Sequence, residues 1–248
     1  MTAGPLLELA GVSKRFGSIV VADSLSLTLR GGDAVGMVGP NGAGKTSLFS
    51  LISGDLSPNS GEVRFEGNLV TAMDSAQRCR LGIARTYQVP RSFEHMTAFE
   101  NVLVAAHRGA GLRGRAAFNL AAGVLEETSL RDEANWTASR LGLVKRKRLE
   151  LARALGCKPR LLLLDEVAAG LTEPEVAGLV EVVQRIQARG VAVIWVEHVV
   201  RALVGVVDRL ICLAGGRFIG DGEPRAVLSS PAVREVFLGT SYGEVAPT

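Results

Sequence analysis

Apolar and polar residues alternate along the first part of the chain. Between residues 6 and 30 the alternation has a period of two, and it is interrupted at Phe16-Gly17-Ser18. Because successive side chains of a strand point to opposite faces, this pattern predicts two half-buried strands joined by a turn. We expect the two strands to pair antiparallel.

Three later segments are apolar without interruption. They cover residues 33–39, 161–165 and 191–197. The first is followed by a helical pattern at 45–54 that ends in a glycine, and the other two are separated by a helical pattern at 174–189. Continuous apolar strands that alternate with helices are typical of a parallel sheet covered on both faces, so we predict an α/β core.

The middle of the chain has a different composition. Residues 90–157 are rich in Ala, Arg and Leu and show helical periodicity, which predicts a helical insert. The tail contains a predicted hairpin that turns at Gly215-Gly216, followed by two short helices. We therefore predict that the 248 residues form one domain, with residues 1–89 and 158–248 forming its core.

The amino-acid composition indicates which partners and which cellular compartment to expect for this protein. Lys and Arg total 28 against 25 for Asp and Glu, and this net charge of +3 is too small to indicate a nucleic-acid partner. The apolar runs are shorter than the roughly 20 residues that a membrane span needs, and the sequence does not open on a secretory signal. The isolated Cys79, Cys157 and Cys212 fit a reducing compartment, so we expect a cytoplasmic location.

A glycine-rich motif follows the first apolar run. Residues 39–46, GPNGAGKT, match G-x-x-x-x-G-K-[ST] between a predicted strand and a predicted helix. In such a loop the backbone N–H groups bind phosphate, Lys45 reaches the β and γ phosphates, and the Thr46 hydroxyl binds Mg²⁺. The predicted nucleotide-binding residues are Gly39, Pro40, Asn41, Gly42, Ala43, Gly44, Lys45, Thr46 and Ser47.

Two adjacent carboxylates end the second apolar run. Asp165 and Glu166 follow the leucines at 161–164. Taken alone, an Asp-Glu pair at a strand end is typical of a solvated turn. Beside a phosphate loop it predicts a division of work, in which Asp165 holds the metal through water and Glu166 polarises the water that attacks the γ-phosphate.

These motifs and three shorter segments resemble an ATP-binding cassette (ABC) ATPase. The short segments are KRFG at 14–17, TYQ at 86–88 and WVEH at 195–198, and the similarity extends over residues 6–239. The resemblance implies ATP and Mg²⁺ as cofactors and ATP hydrolysis as the activity. It also implies the fold: a RecA-like P-loop NTPase core with an N-terminal antiparallel β subdomain and an inserted α-helical subdomain over residues 90–157.

The resemblance assigns a role to one residue in each short segment. Phe16 would stack on adenine, Gln88 would contact Mg²⁺ and sense the γ-phosphate, and His198 would contact the γ-phosphate. Taken singly, a phenylalanine is more typical of the core, a glutamine of the surface, and a histidine of a structural role. Their order along the chain favours the family roles.

Three longer segments resemble the LivG-type branch of this family, which serves branched-chain amino-acid uptake. They are IARTYQVPRSFEHMTAFENVLVA, LDEVAAGLTEPEV and GEPRAVLSSPAVREVFLG. The resemblance implies a second ABC ATPase subunit, two membrane permease subunits and an extracytoplasmic substrate-binding protein as partners. It places the chain on the inner face of the cell membrane, with residues 89–100 against the permease.

Other functions remain open at this point. One alternative is an ABC ATPase for another substrate, such as urea, an amide or a lipid. A second is a soluble ABC protein of DNA repair, the ribosome or regulation, although these usually carry two cassettes or long coiled-coil inserts. A third is another P-loop protein, such as a GTPase or a small-molecule kinase, which would lack the ordered series of motifs.

Two segments depart from the family pattern. The signature segment, LSGGQ in most members, consists here of Leu141, Gly142, Leu143, Val144 and Lys145; the D-loop, SALD in most members, consists of Ala169, Gly170, Leu171 and Thr172. Val144 replaces the glycine that approaches the other subunit's γ-phosphate, while Lys145 adds a cation able to meet phosphate. Both segments lie where two family subunits meet. We therefore expect a heterodimer with a different ATPase, with a homodimer as the alternative.

A run of four cations, KRKR, begins at the end of the signature segment. On a helix, Arg146, Glu150 and Arg153 fall at i, i+4 and i+7, so we expect the carboxylate to neutralise the cations in part. We interpret the run as the start of the helix behind the signature segment rather than as a nucleic-acid surface.

Overall fold

The computed structural model describes residues 4–197, 203 and 205–238. Within these residues the strands are β1 (Leu7–Phe16), β2 (Ile19–Leu29), β3 (Ala34–Val38), β4 (Ser60–Phe65), β5 (Asn68–Leu69), β6 (Ile83–Arg85), β7 (Leu161–Asp165), β8 (Ala192–Val196), β9 (Arg209–Ala214) and β10 (Arg217–Gly222). The α-helices are α1 (Lys45–Ser53), α2 (Ser75–Leu81), α3 (Ala98–Arg108), α4 (Gly114–Glu127), α5 (Leu143–Gly156), α6 (Glu173–Ala188), α7 (Pro224–Ser229) and α8 (Pro231–Leu238).

The alternating first segment forms an antiparallel sheet of four strands. Its order is β2-β1-β4-β5, and Leu7 pairs with Leu29 while Leu9 pairs with Leu27. These four leucines are buried, whereas the polar residues between them lie on the other face. The two predicted strands and their antiparallel pairing are therefore confirmed.

The continuous apolar runs form the centre of a second sheet. Its order is β10-β9-β3-β8-β7-β6, parallel except for the antiparallel pairing of β10 with β9. Every residue of β3, β7 and β8 is buried, as expected for strands covered on both faces. The predicted α/β class is confirmed.

Alternate residues of these strands face two different hydrophobic clusters. Met37, Leu163 and Ile194 pack with α1 and the antiparallel sheet, while Leu164 and Trp195 pack with helices α5 and α6. The parallel sheet is thus the central layer of the molecule. Its carboxyl edge is the edge from which the loops after β3 and β7 emerge.

Three helices follow one another between residues 90 and 157. Helix α3 begins with a capping box in which Thr97 and Glu100 each accept a hydrogen bond from the other's backbone N–H. Its buried residues Ala98, Val102 and Ala106 are spaced four apart, and they face α4 and α5. The helical character predicted for this segment is confirmed.

The sequence patterns did not predict the elements between residues 55 and 85. Strands β4 and β5, helix α2 and the short strand β6 are each two to seven residues long. Such lengths are too short for a clear period to develop in the sequence. Among the helices that the structure describes, none is long and apolar enough to cross a membrane.

A buried arginine joins this unpredicted region to helix α1. The guanidinium of Arg78 donates hydrogen bonds to the carbonyls of Leu51 at 2.6 Å, Ile52 at 2.9 Å, Thr71 at 3.0 Å and Met73 at 3.1 Å. Two of these carbonyls belong to the last turn of α1, where no intrahelical donor remains. Arg78, a residue of α2, therefore satisfies free carbonyls at the C-terminus of α1.

We predict that Arg78→Met lowers the free energy of unfolding by about 3 kcal/mol, because several buried carbonyls lose their donor. Urea denaturation measures the change. Arg80→Met is the matched control, since Arg80 lies on the same helix but is exposed, and it should change stability by less than about 0.5 kcal/mol. Equal losses in the two variants would contradict the role given to Arg78.

Candidate functional site

The phosphate loop, residues 39–46, leads from β3 into the first turn of α1. A Cβ atom at Gly44 would come within 2.2 Å of the Val21 carbonyl oxygen, and one at Gly39 within 2.0 Å of the Leu213 carbonyl oxygen. Only glycine fits these two positions, because both contacts are with backbone. The glycines allow the loop to lie against two neighbouring strands while its N–H groups remain at the start of a helix.

Lys45 lies across this loop. Its Nζ atom donates hydrogen bonds to the carbonyls of Gly39 at 2.6 Å and Pro40 at 2.9 Å. Burial lowers the pKa of Lys45, and the nearby carboxylates of Glu166 and Asp165 oppose that shift. The cation is therefore held over the loop, facing the two acids at the end of β7.

Asp165 is the last residue of β7, and its two carboxylate oxygens differ in their contacts. Oδ2 accepts a hydrogen bond from Arg85 at 2.9 Å, whereas Oδ1 is buried and has no hydrogen-bond partner among the described residues. Burial raises the pKa of Asp165, and the bond and charge of Arg85 oppose the rise. The second oxygen is available to a further donor, such as a metal-bound water.

Two oxygens beside the phosphate loop, those of the Thr46 hydroxyl and Asp165 Oδ1, suit Mg²⁺ binding. The Thr46 side chain is exposed at the start of α1, and no described residue donates a hydrogen bond to the Oδ1 atom of Asp165. Carboxylate and hydroxyl oxygens are ligands that Mg²⁺ accepts, usually together with waters and substrate phosphates.

Glu166 has an uncommon backbone conformation for a residue other than glycine, with φ of 50°. Its N–H donates to the Val196 carbonyl of β8 at 3.0 Å. The Nε2 atom of Gln88 donates a hydrogen bond to the Oε2 atom of Glu166 at 2.5 Å. The structure thus brings together two residues that are 78 positions apart in the sequence and were both predicted for the site.

Sequence analysis missed Arg85, which contacts several parts of the site. Besides Asp165, its guanidinium binds the Ser50 hydroxyl at 2.9 Å and lies 5.0 Å from the centre of the Tyr87 ring. Its side chain is only 5% exposed. The only available signal was its place just before TYQ at the end of a short strand.

Sequence analysis also missed two charged residues around the loop that follows Glu166. The Nζ atom of Lys147 donates to the carbonyls of Glu166, Val167 and Ala169. From the other side, Glu197 accepts a hydrogen bond from the backbone N–H of Ala168 at 2.7 Å. The loop is therefore fixed by a cation from α5 and an anion from the end of β8.

The signature segment leads into helix α5, which is capped by Gly142. Leu143 is 57% exposed. Lys145 forms an ion pair with Glu133 and lies 5.4 Å from the Trp136 ring centre, so its cation already has two partners within the chain. This weakens the expectation that Lys145 meets phosphate.

The cations behind the signature segment are paired only in part as expected. Glu150 is buried and forms an ion pair with Arg153 at 2.9 Å, and it also accepts a hydrogen bond from the Arg91 backbone N–H. Arg146 instead donates to the carbonyls of Leu141 and Ser139. The carboxylate thus neutralises Arg153, while Arg146 closes the turn before the helix.

Two further predicted residues, Thr172 and Phe16, lie at the edge of the candidate site. In the D-loop, Thr172 forms a capping box with Glu175 at the start of α6, which gives its hydroxyl a local role. Phe16 lies at the end of β1 and is 51% exposed, with the Lys14 ammonium 5.3 Å from its ring centre. His198 lies outside the described residues.

The phosphate loop follows the parallel strand β3, and an acidic pair lies at the end of β7, which β8 separates from β3. This arrangement defines the class of P-loop nucleoside triphosphatases. The ABC transporter family model matches residues 22–169. The branched-chain amino acid transport ATP-binding protein BraF of Pseudomonas aeruginosa is 34% identical over 250 residues, which cover 95% of this chain and 98% of BraF. LivG of Salmonella typhimurium is 33% identical with the same coverage.

Solved structures of similar fold support the same class. A nucleotide-free ATP-binding cassette from an ABC transporter has a TM-score of 0.85 and 27% identity, covering 94% of this chain and 98% of that one. The ADP conformation of an ATP-binding cassette has a TM-score of 0.84 and 27% identity, covering 95% and 99%. This chain belongs to the ABC transporter family of ATP-binding proteins, and it is an ATPase.

We predict that Gly44→Ala reduces both the free energy of unfolding and ATP affinity more than Gly42→Ala does. Both glycines have positive φ, of 105° and 78°, so the two variants share a backbone cost of about 1 kcal/mol. Only at Gly44 does the new Cβ meet a backbone oxygen; at Gly42 no atom of the described residues lies within 4 Å of it. Urea denaturation and nucleotide titration measure the difference, and equal effects would contradict the contact.

Proposed function

We propose that the chain is the ATP-hydrolysing subunit of an importer for branched-chain or related amino acids. The observation that carries the proposal is the hydrogen bond between Gln88 and Glu166 beside a phosphate loop and Asp165. The substrate class is supported by BraF and the LivG proteins, which are 32–34% identical over 95% of the chain.

Residues 39–47 and Phe16 bind the nucleotide in this proposal. The loop N–H groups and Lys45 hold the phosphates, and the exposed ring of Phe16 stacks on adenine. Thr46, Gln88 and Asp165 hold Mg²⁺, which when bound neutralises phosphate charge. Burial raises the pKa of Asp165, and the guanidinium of Arg85 opposes that rise and so favours the charged carboxylate.

Glu166 is the proposed general base. Its carboxylate accepts the proton of the attacking water, and the amide of Gln88 holds the carboxylate in a fixed direction. His198 completes the site as a contact of the γ-phosphate in this proposal. Residues 1–89 and 158–248 form the nucleotide-binding core, and residues 90–157 carry the signature segment.

The partner proposed for the nucleotide site is a second, different ATPase. The signature segment of this chain presents an exposed Leu143 at the start of α5, while the cation of Lys145 is held by Glu133. An apolar side chain offers a phosphate no hydrogen-bond donor. A partner whose signature has glycine at the position of Val144 would therefore serve the phosphate loop of this chain better than a second copy.

The proposed contact with the membrane subunits lies in residues 89–100. Val89, Phe93 and Met96 are exposed there, at 73%, 45% and 38%. Exposed apolar side chains in one short segment are typical of an interaction surface. Two permease subunits, served by an extracytoplasmic binding protein, would hold the chain at the inner face of the membrane.

We predict that Glu166→Gln retains ATP binding but loses turnover by at least about 100-fold, because the amide cannot accept a proton. Lys45→Ala should lose ATP binding itself. Phosphate release and nucleotide titration separate the two effects. Glu126→Gln is the matched control, since that carboxylate is 66% exposed on α4 and should leave both measurements unchanged. Unchanged turnover in Glu166→Gln would overturn the assignment of the base.

We predict that the purified chain hydrolyses ATP faster when mixed with its proposed partner, a different ABC ATPase, than when it is alone. The reason is that the added partner supplies a signature segment with glycine at the position of Val144. Analytical ultracentrifugation with ATP should show a mixed dimer. Full turnover by a homodimer of this chain would refute the heterodimer proposal.

A further inference from the structure

The loop between β7 and α6, residues 166–171, follows Glu166 directly and is held by few bonds of its own. Within it, the Ala169 N–H donates to the Glu166 carbonyl at 3.3 Å, and the Leu171 N–H donates to the Ala168 carbonyl at 3.1 Å. The first bond is long for an N–H···O contact, and both close tight turns within the loop. The loop therefore depends on side chains from other elements for a defined shape.

Lys147 supplies such a side chain from helix α5. Its ammonium donates to the carbonyls of Glu166 at 3.3 Å, Val167 at 3.4 Å and, at closer range, Ala169. Three donors on one ammonium thus meet three carbonyls within four consecutive residues. Burial lowers the pKa of Lys147, and the charges of Glu197 and Glu166 oppose that shift.

Glu197 holds the same loop from the other side. Its Oε1 atom accepts the Ala168 N–H at 2.7 Å and the Trp195 indole N–H at 3.0 Å. The indole is fully buried, so the carboxylate is fixed by the core of the parallel sheet. Two oppositely charged side chains, each anchored in a different layer, thus bind three carbonyls and one N–H of one short segment.

These contacts fix the backbone of Glu166 on both sides of its α-carbon. Its N–H is bound by Val196 and its carbonyl by Lys147. Its φ of 50° is a conformation that persists only where the surroundings enforce it. From this backbone the side chain of Glu166 reaches Gln88, whose Nε2 atom donates to the carboxylate.

We propose that Lys147 is a positioning residue for Glu166, and that it links the helix behind the signature segment to the general base of the same chain. The inference rests on the role proposed for Glu166. Helix α5 begins at the segment that meets the partner's nucleotide in this family. Lys147 lies one turn inside that helix, so a shift of the helix start moves the ammonium and the three carbonyls it holds.

The test compares three variants of the full-length chain assembled with its partner ATPase. Lys147→Met keeps the length of the side chain but removes the donors, and it should lower kcat by about 10- to 100-fold with ATP affinity changed less than about twofold. Lys147→Arg keeps a cationic donor and should recover most of the rate. Arg148→Met removes the next cation of α5, which makes no hydrogen bond to the loop within the described residues, and should leave kcat unchanged.

A double variant separates positioning from general damage. In the Glu166→Gln background, Lys147→Met should cost little further activity, because the group it positions is already lost. An equal fractional loss in both backgrounds, a raised KM with kcat unchanged, or the same loss in Arg148→Met would each overturn the proposal. The rates of the wild type and of Glu166→Gln alone report separately on the role proposed for Glu166.

Thermal unfolding of each variant is measured alongside. If Lys147→Met does not fold, Lys147→Gln takes its place, because glutamine keeps a neutral donor on a shorter side chain. The proposal then expects an intermediate kcat for Lys147→Gln and again no further loss in the Glu166→Gln background. A wild-type kcat in Lys147→Gln would overturn it.

Discussion

The pairing of one strand, β8, sets the position of both halves of the site. Val196 is the register partner of Met37 on β3 and of Asp165 on β7, and its carbonyl accepts the N–H of Glu166. Because the strands are parallel, the phosphate loop and the acidic pair emerge at the same edge and the same height. The strand pairing therefore brings the phosphate loop and the positions of Asp165 and Glu166 to one place.

Buried charged side chains then determine the electrostatics at this edge of the sheet. Lys45 faces Asp165 and Glu166, whose charges oppose the lowering of its pKa by burial. The guanidinium of Arg85 likewise opposes the rise that burial causes in the pKa of Asp165. In a region of low dielectric each charge needs a partner. The charged groups of the site consequently depend on one another, and hydrogen bonds already hold Lys45 and Asp165 in place.

Periodicity and motifs predicted the parts of the molecule in which local sequence determines local structure. The alternation over residues 6–30, the buried runs and the phosphate loop were recognisable because each depends on neighbouring residues. The contacts of Arg85 and Lys147 were not, because their partners lie 80 and about 20 positions away, beyond the reach of any local pattern. The ion pair between Lys145 and Glu133 could not be predicted either, because it depends on how the chain folds between helices α4 and α5.

The central claim is that this chain hydrolyses ATP at its own phosphate loop with Glu166 as the base. The most direct measurement is phosphate release by the complex with the partner ATPase after the partner's own catalytic carboxylate has been replaced. We expect release to continue while Glu166 is intact and to stop when Glu166 is replaced as well. Absence of release with Glu166 intact, in a complex that still binds ATP, would contradict it.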